Sequence, residues 1–261
     1  MLSIVIPTLQ KNLAALYNLL DNLTKDEAVS EIIIIDNSLK GLNYNHPKIR
    51  IITPNENLYV NPSWNLGVKE AKGEIVGLLN DDIMIAKDFC SDVIKQMNRS
   101  MGLVGMNSGD YIITTNEIKN PEKTDLYLEK TKYMDMSFGV MMFFYKDTYP
   151  FIPDKLKIVY GDVWLYYQYK KQQERERERE RRKENYRISG QIVYHLGSIS
   201  SGDKVFNPIC RQDAKNYKKM TVKWYHRMFS YDETWKGYKI RILGLTLFFV
   251  KPNARGVREE N

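Results

Sequence analysis

Short apolar runs and helical repeats alternate along the first hundred residues of the chain. Residues 3–7 and 31–36 are apolar runs of strand length. The leucines between these runs recur at steps of three and four residues, at positions Leu9, Leu13, Leu16, Leu20 and Leu23. That spacing predicts a helix with one apolar face that covers the first strand. The alternation predicts a mostly parallel sheet with helices on its faces.

The same alternation continues to about residue 80. Residues 49–53 form a third strand-like run, and Asn61 and Pro62 then supply an N-cap candidate and a proline for the first helical position. Gly73 is a typical residue after a helix, and residues 74–79 are a buried strand in pattern. The predicted inward positions of the intervening helix are Trp64, Val68 and Ala71.

Acidic side chains follow two of these predicted strands. Asp36 closes the second strand, and Asn80, Asp81 and Asp82 close the fourth. Open α/β sheets bind ligands beyond the carboxyl ends of their strands. A single acid at such a place is often only the polar end of a strand. Two such ends, with a helix start between them, favour a binding site.

The second half of the chain has a less regular pattern. We predict a strand over 133–145, an aromatic helix over 163–169 and a strand over 191–194 that leads into His195. The remainder from about 203 predicts a helix through Trp224 and then a basic, aromatic tail.

One segment of low complexity interrupts this half. Residues 170–187 contain a repeated Glu-Arg dipeptide and have no apolar face, which predicts a solvated segment outside the core. Its charge is nearly balanced, so we do not expect it to bind nucleic acid.

Composition narrows the class of protein. The chain has 261 residues, 43% of them hydrophobic, which is typical of a globular protein. Two cysteines, Cys90 and Cys210, without CxxC spacing argue against a disulfide scaffold and a structural zinc site. We find neither a signal-peptide pattern nor a membrane-spanning apolar run, and therefore expect a cytoplasmic location.

The net charge of +7 is concentrated after residue 200, which favours a docking surface rather than a catalytic one. Residues 240–250, flanked by Lys239 and Lys251, are compatible with peripheral contact to an anionic membrane. A buried strand or helix is an equally good interpretation of this segment.

The motifs SIVIPT, EIIIIDNS and LNDD, in this order, resemble family 2 glycosyltransferases of the GT-A fold. The resemblance covers residues 2–105 and includes Trp64-Asn65-Leu66-Gly67, which is similar to the family's Arg-Asn-x-Gly. The sequence departs from the family at Trp64, which replaces the arginine, and at Asn80, which replaces the first acid of Asp-x-Asp.

The resemblance implies roles for the residues at the strand ends. Asp82 would bind Mn²⁺ or Mg²⁺ through the diphosphate of a nucleotide-sugar, because a hard cation neutralises the charge that develops there. Asp81 or Asn80 would contact the ribose, and Asp36 would accept a hydrogen bond from the base. The residues expected to bind the donor are Pro7, Thr8, Asp36, Asn65, Asn80 and Asp81.

Two further residues are assigned by similarity in the second half. Residues 160–165 are similar to the family's Glu-Asp segment before a helix, which makes Asp162 the candidate general base. His195, in a segment that resembles His-x-Gly-Ser, is a candidate ligand of the metal or the diphosphate. The alternatives are that Asp162 only caps a helix and that His195 only ends a strand.

These observations predict a single GT-A domain. Its nucleotide half would span 1–105, its acceptor half 106–202 and a helical, basic extension 203–261. The expected reaction is inverting transfer from a UDP-, GDP- or TDP-sugar to a hydroxyl of a glycan or lipid-linked acceptor. One alternative is a sugar-1-phosphate nucleotidyltransferase, although residues 9–13 lack the glycine-rich, basic loop of that class. Another is a non-catalytic binding protein of the same fold.

Overall fold

The computed structural model describes residues 1–113, 117–131, 134, 138–175, 183–196, 204–221, 229–234, 237–242 and 245–250. The chain divides into two compact units, Met1–Asp213 and Ala214–Asn261.

An eight-stranded sheet forms the centre of the first unit. Its strands are β1 (Leu2–Thr8), β2 (Val29–Asp36), β3 (Ile49–Ile52), β4 (Ile75–Leu79), β6 (Met101–Met106), β8 (Tyr127–Lys130), β9 (Met141–Tyr145) and β10 (Glu184–Ser189). The spatial order is β3-β2-β1-β4-β9-β6-β10-β8. The first four strands are mutually parallel, β9 is antiparallel to both of its neighbours, and β8 is antiparallel to β10. The prediction of a mostly parallel sheet is confirmed.

A small second sheet lies in the same unit and has the order β5-β11-β7. Its strands are β5 (Ile83–Met84), β7 (Tyr111–Ile113) and β11 (Val193–His195). Strand β11 runs antiparallel to β5 and parallel to β7. Three distant parts of the chain therefore meet directly beyond β4.

The helices are α1 (Leu13–Lys25), α2 (Val60–Glu70), α3 (Phe89–Gln96), α4 (Gly161–Arg175) and α5 (Asn207–Thr221). A 3₁₀ turn over Phe138–Val140 precedes β9, and a second over Lys146–Thr148 follows it.

Helix α1 begins four residues later than its leucine repeat. Asn12 is the N-cap, and its side-chain oxygen accepts a hydrogen bond of 3.0 Å from the Ala15 N–H, which satisfies one of the free amides of the first turn. Leu9 lies before the helix, and Leu13 is 40% exposed. The prediction that these two leucines extend the apolar face was wrong. The buried face consists of Ala15, Leu16, Leu19, Leu20 and Leu23.

Helix α2 begins at Val60, and its N-cap is Tyr59 with φ of 65° rather than the predicted Asn61. Pro62 falls in the first turn, where a backbone N–H would have no acceptor within the helix, so its absence in proline costs no hydrogen bond. The helix ends at Glu70, before the predicted Gly73. It lies so close to β1 that a Cβ at Gly67 would stand 2.1 Å from a methyl carbon of Val5.

Two predictions for the second half were wrong in detail. The strand expected from residue 133 is only Met141–Tyr145, and most of 132–137 lies outside the described residues. Residues 184–187, expected to be solvated, belong to β10 in the central sheet. Asn185 is 2% exposed there, and its side-chain oxygen accepts a hydrogen bond of 3.0 Å from the Leu103 N–H. Side-chain hydrogen bonding thus compensates for the polar sequence.

The C-terminal unit contains a three-stranded antiparallel sheet. Strands β12 (Phe229–Thr234), β13 (Gly237–Ile242) and β14 (Leu245–Val250) pair in chain order. The interpretation of the region after α5 as a tail missed β12, whereas a strand was one of the two interpretations offered for residues 240–250. The described part of the chain contains no helix with the length and apolar character needed to cross a membrane.

Candidate functional site

The site lies where β1 and β4 end side by side. The Thr8 hydroxyl, at the end of β1, donates a hydrogen bond of 2.5 Å to the Asp81 carboxylate, which follows β4. The Thr8 carbonyl accepts a bond of 2.8 Å from the Asn37 N–H after β2. Because the strands are parallel, their carboxyl ends share one edge of the sheet. The structure therefore brings Thr8 and Asp81 together at this edge.

Asp82 and His195 form a close pair at this edge. His195 lies opposite Ile83 in the β5–β11 pairing, and the Leu196 N–H donates to the Asp82 carbonyl over 3.0 Å. This register places Asp82 Oδ1 2.8 Å from His195 Nε2, with side-chain exposures of 13% and 4%. The two residues that the resemblance assigned to the metal are thus adjacent in space.

Tyr111 contacts the other side of the His195 ring. Its hydroxyl lies within hydrogen-bonding distance of His195 Nδ1, because β7 is the parallel neighbour of β11. Burial, with a smaller contribution from the Asp82 charge, raises the pKa of Tyr111 to about 12, so it stays a neutral hydroxyl that can donate or accept. The sequence reasoning missed Tyr111, since only the β7–β11 pairing reveals it.

Asn80 connects the metal candidates to the second half of the sheet. Its N–H donates to the Val140 carbonyl over 3.0 Å, and its side-chain nitrogen lies 3.5 Å from His195 Nε2. The second distance is a contact rather than a strong hydrogen bond. Asn80 therefore lies between His195 and the 3₁₀ turn that precedes β9.

The Asp82–His195 pair fits a divalent cation. Carboxylate oxygen and imidazole nitrogen are both ligands of Mn²⁺. Two neighbouring ligands at about 2.1 Å from an octahedral ion lie roughly 3 Å apart, close to the separation of 2.8 Å in the structure. Among the described residues, no group of three or more His, Cys, Asp and Glu side chains could hold a metal ion.

The Asp81 carboxyl has an unusual environment. Burial raises its pKa to about 6, the hydrogen bond from Thr8 acts in the opposite direction, and the neighbouring Asp82 charge raises it further. Two carboxylates in sequence at a partly buried strand end favour a cation beside them.

Asp162 lies in the first turn of α4, next to the 3₁₀ turn. Its Oδ1 accepts a hydrogen bond of 2.8 Å from the Val163 N–H. A Cβ at Gly139 would stand 2.9 Å from its Oδ2, so that side of the carboxylate has room only for glycine. Burial raises the pKa of Asp162, opposed by the backbone N–H groups of Val163, Asp162 and Gly139. Gly139 precedes Val140, whose carbonyl accepts the Asn80 N–H, so the 3₁₀ turn contacts both Asp162 and the end of β4.

Asp162 is not the residue that precedes α4, although its carboxylate binds the first-turn N–H of Val163 as a capping side chain would. Helix α4 already includes Gly161, and the Trp164 N–H donates over 2.9 Å to the Tyr160 carbonyl. The residue before the helix is thus Tyr160, and Asp162 is the second helical residue.

Asp36 is fully buried and holds the loop that follows β2. Its Oδ1 accepts hydrogen bonds from the Ser38 N–H and hydroxyl over 3.0 and 2.6 Å, and its Oδ2 accepts one from the Gly41 N–H over 3.0 Å. This loop passes through positive φ values at Leu39 (63°) and Gly41 (77°). Contact between Asp36 and a nucleobase stays a prediction, and in this conformation the loop occupies the carboxylate.

Asn65 and Pro7 have hydrogen-bond or sheet partners other than Asn80, Asp81 and Asp82. The Asn65 amide donates to the Ile152 carbonyl over 2.7 Å and accepts from the Ile152 N–H and the Tyr149 hydroxyl, each over 3.0 Å. Pro7 pairs with Ile35 inside the sheet. A donor contact by either residue stays a prediction.

Comparison with known proteins gives one family. A family profile described as "Glycosyl transferase family 2" matches residues 3–170. This range includes β1, β4, β5 and β7 of the site but not β11. No curated protein sequence matches the chain.

Solved structures share the fold at low sequence identity. The crystal structure of GalNAc-T7 with UDP, GalNAc and Mn²⁺ is 13% identical and superposes with a TM-score of 0.58, covering 87% of this chain and 49% of that chain. The crystal structure of S. aureus TarS 1–349 in complex with UDP is 14% identical with a TM-score of 0.49, covering 86% of this chain and 68% of that one. The chain thus spans about half the length of the GalNAc-T7 chain, and the likeness concerns the fold alone.

Proposed function

The chain belongs to glycosyl transferase family 2, has the GT-A fold and is a glycosyltransferase, and we propose that it moves a sugar from a nucleotide-sugar to an acceptor hydroxyl with inversion. The donor would be a UDP-, GDP- or TDP-sugar, and the acceptor a glycan or a lipid-linked sugar. The observation that carries this proposal is the Asp82–His195 pair at the carboxyl end of β4, 2.8 Å apart.

The donor side of the reaction uses the end of β4. Asp82 and His195 would hold Mn²⁺ or Mg²⁺, which neutralises the charge that the departing diphosphate develops. The Thr8 hydroxyl donates a hydrogen bond of 2.5 Å to the Asp81 carboxylate and thereby orients it. Asp81 or Asn80 would then bind the ribose hydroxyls. Tyr111 holds the His195 ring from its other nitrogen, which sets the orientation of the ligand atom.

The acceptor side uses Asp162. The acceptor oxygen attacks the anomeric carbon as the bond from that carbon to the diphosphate oxygen breaks, and the hydroxyl proton passes to Asp162. One displacement from the opposite face inverts the configuration. The raised pKa of Asp162 supports this role, because a more basic carboxylate accepts a proton more readily.

The reaction is tested in two steps. UDP-, GDP- and TDP-sugars are first screened with Mn²⁺ by thermal shift, since a ligand that binds only the folded protein raises its melting temperature. Transfer with the selected donor is then measured with EDTA and after Mn²⁺ is restored. We expect loss and recovery of activity; unchanged activity in EDTA would remove the metal from the proposal.

Variants test the assigned residues separately. Asp82→Asn should abolish the Mn²⁺-dependent nucleotide shift, whereas Asp125→Asn, an exposed aspartate away from the site, should leave it unchanged. Asp162→Asn should bind the nucleotide normally and transfer no sugar. Nucleotide binding without turnover in the native protein would instead favour a non-catalytic binding protein. The product's anomeric configuration, read by NMR, decides between inversion and retention.

A further inference from the structure

Helix α5 contributes one buried carboxylate to the backbone ahead of α4. Asp213 is 1% exposed. It accepts hydrogen bonds from three consecutive N–H groups: Lys157 at 3.0 Å to each oxygen, Ile158 at 2.7 Å and Val159 at 3.0 Å. Bonds from N–H groups to an ionised acceptor are stronger than neutral ones. The conformation of residues 157–159 therefore depends on this carboxylate.

Helix α2 binds two carbonyls of the same segment. The Asn61 N–H donates to the Lys157 carbonyl over 2.9 Å, and the Asn61 side chain donates to the Val159 carbonyl over 3.2 Å. Asn61 is fully buried. Residues 157–159 are thus held by Asp213 through their three amides and by Asn61 through the carbonyls of the first and last of them.

The held segment runs directly into Asp162. Tyr160 has φ of 66°, in the left-handed region, and its carbonyl accepts the Trp164 N–H bond of α4. A Cβ at Gly161 would stand 2.1 Å from Asn61 Oδ1, so the backbone at this point has no room to shift toward α2. A displacement at residue 158 is therefore transmitted to Asp162.

We propose that Asp213 is a positioning residue for the general base: by binding the amides of residues 157–159, it fixes the start of α4 and hence the place of the Asp162 carboxylate. Asp213 lies beyond residue 170, where the family match ends. The inference rests on the proposed function, in which Asp162 takes the acceptor proton.

Asp213→Asn tests the inference in the full-length protein. The asparagine has nearly the same shape but turns an NH₂ group toward backbone donors that need an acceptor, so part of the cluster is lost. We expect kcat to fall between about tenfold and a hundredfold, as for a small misplacement of a reacting group. The affinity for UDP with Mn²⁺ should be unchanged, because the contacts of Asp82 and His195 do not include Asp213.

Asp154→Asn is the matched control, since Asp154 is an exposed aspartate three residues before Lys157. It should retain the wild-type kcat. A purely structural role would lower the melting temperature of Asp213→Asn but leave kcat unchanged well below that temperature, and this result would overturn the inference.

Hydrogen exchange separates this inference from the proposed function. In Asp213→Asn, the amides of 157–165 should exchange faster than in the wild type, while those of β1 and β4 should not change. Unchanged exchange at 160–165 would overturn the inference even if the wild type transfers sugar. If the wild type transfers no sugar but the exchange effect is present, the proposed function fails and the link from Asp213 to Asp162 stands.

If Asp213→Asn does not fold, a measurement on the native protein still tests the inference. The amides of Lys157, Ile158 and Val159 should be protected from exchange although they lie in a loop, because their acceptor is buried. Exchange as fast as that of an exposed loop would contradict the inference.

Discussion

Gly161 stands where the family resemblance has a glutamate, and the structure gives the reason for glycine. Its Cα lies against Asn61 Oδ1, and a Cβ there would be 2.1 Å from that oxygen. This oxygen is buried without a hydrogen-bond partner. The Gly161 backbone thus lies close to the Asn61 amide oxygen. This oxygen cannot move aside while the NH₂ group of the same amide donates to the Val159 carbonyl.

Gly161→Ala should therefore destabilise the protein by about 1–3 kcal/mol, as other overpacking substitutions do. Denaturant unfolding measures the loss. Gly109→Ala is the control, because a Cβ at Gly109 would meet its nearest atom at 3.6 Å. Adding Asn61→Ala to Gly161→Ala should cost less than the sum of the single substitutions. Strict additivity would show that the two residues do not clash.

The raised pKa of Asp162 predicts how the reaction depends on pH. A base acts only when it is ionised, so kcat should fall as the pH decreases through the raised pKa. This acid limb should lie above the usual carboxyl pKa of about 4. A limb at the usual value would contradict the assignment.

The raised pKa of Asp162 also determines how the stability of the protein depends on pH. The folded protein binds the Asp162 proton more tightly than the unfolded chain does, so this group's contribution to stability decreases as the pH rises from the usual to the raised pKa. Asp162→Asn should remove that decrease from the free energy of unfolding.

At the scale of elements, the strands of the first 80 residues could be predicted and most later ones could not. Strands β1, β2 and β4 are mainly apolar runs of strand length, and Thr8, Asp36 and Asn80 lie at or directly after their ends. Strand β10 has the polar sequence ENYRIS, and its buried polar side chains are satisfied by distant partners, such as Leu103 for Asn185 and Asn107 for Ser189. Pattern alone does not reveal such long-range partners.

The same limit applies to the site. Asp82, Asp162 and His195 stand in motifs that the family resemblance identifies. Tyr111 and Asp213 occur in no such motif, because their roles come from pairings with β11 and with residues 157–159. Their residue types are ordinary, and the chemistry arises from where the strands and helices place them.

Strand β7 matters through the hydroxyl that it brings to His195. When Nε2 binds a metal, the ring must carry its proton on Nδ1, and Tyr111 is the acceptor within reach. Tyr111→Phe should weaken Mn²⁺-dependent UDP binding by about 10–100-fold, as other losses of a ligand's partner do. Calorimetric titration measures it.

Tyr127→Phe is the control for this substitution, since Tyr127 is 52% exposed and lies in β8. It should bind UDP and Mn²⁺ as the wild type does. Equal affinity of Tyr111→Phe and the wild type would leave the tyrosine with a packing role only.

At the scale of the whole molecule, the two halves recognised in the sequence are joined within one sheet. Strand β9 comes from the second half and lies between β4 and β6 of the first. Its five residues are fully buried. The first half therefore lacks a neighbour for two of its strands when it stands alone.

A fragment of residues 1–106 should consequently show no cooperative thermal unfolding, followed by circular dichroism. A fragment of residues 1–221, which retains the whole eight-stranded sheet and α5, should unfold cooperatively. Cooperative unfolding of the shorter fragment, with UDP and Mn²⁺ raising its melting temperature, would show that the halves are independent.

The small sheet β5-β11-β7 also bears on the order in which the protein becomes active. Asn80 and His195, which meet beside Asp82, are separated by 115 positions along the chain. Loop closure over such a distance carries an entropic cost that must be met before the contact forms. During synthesis on the ribosome, the nascent chain therefore cannot bring His195 to Asp82, the pair proposed to hold the cation, until β11 has left the exit tunnel, long after the first strands have paired.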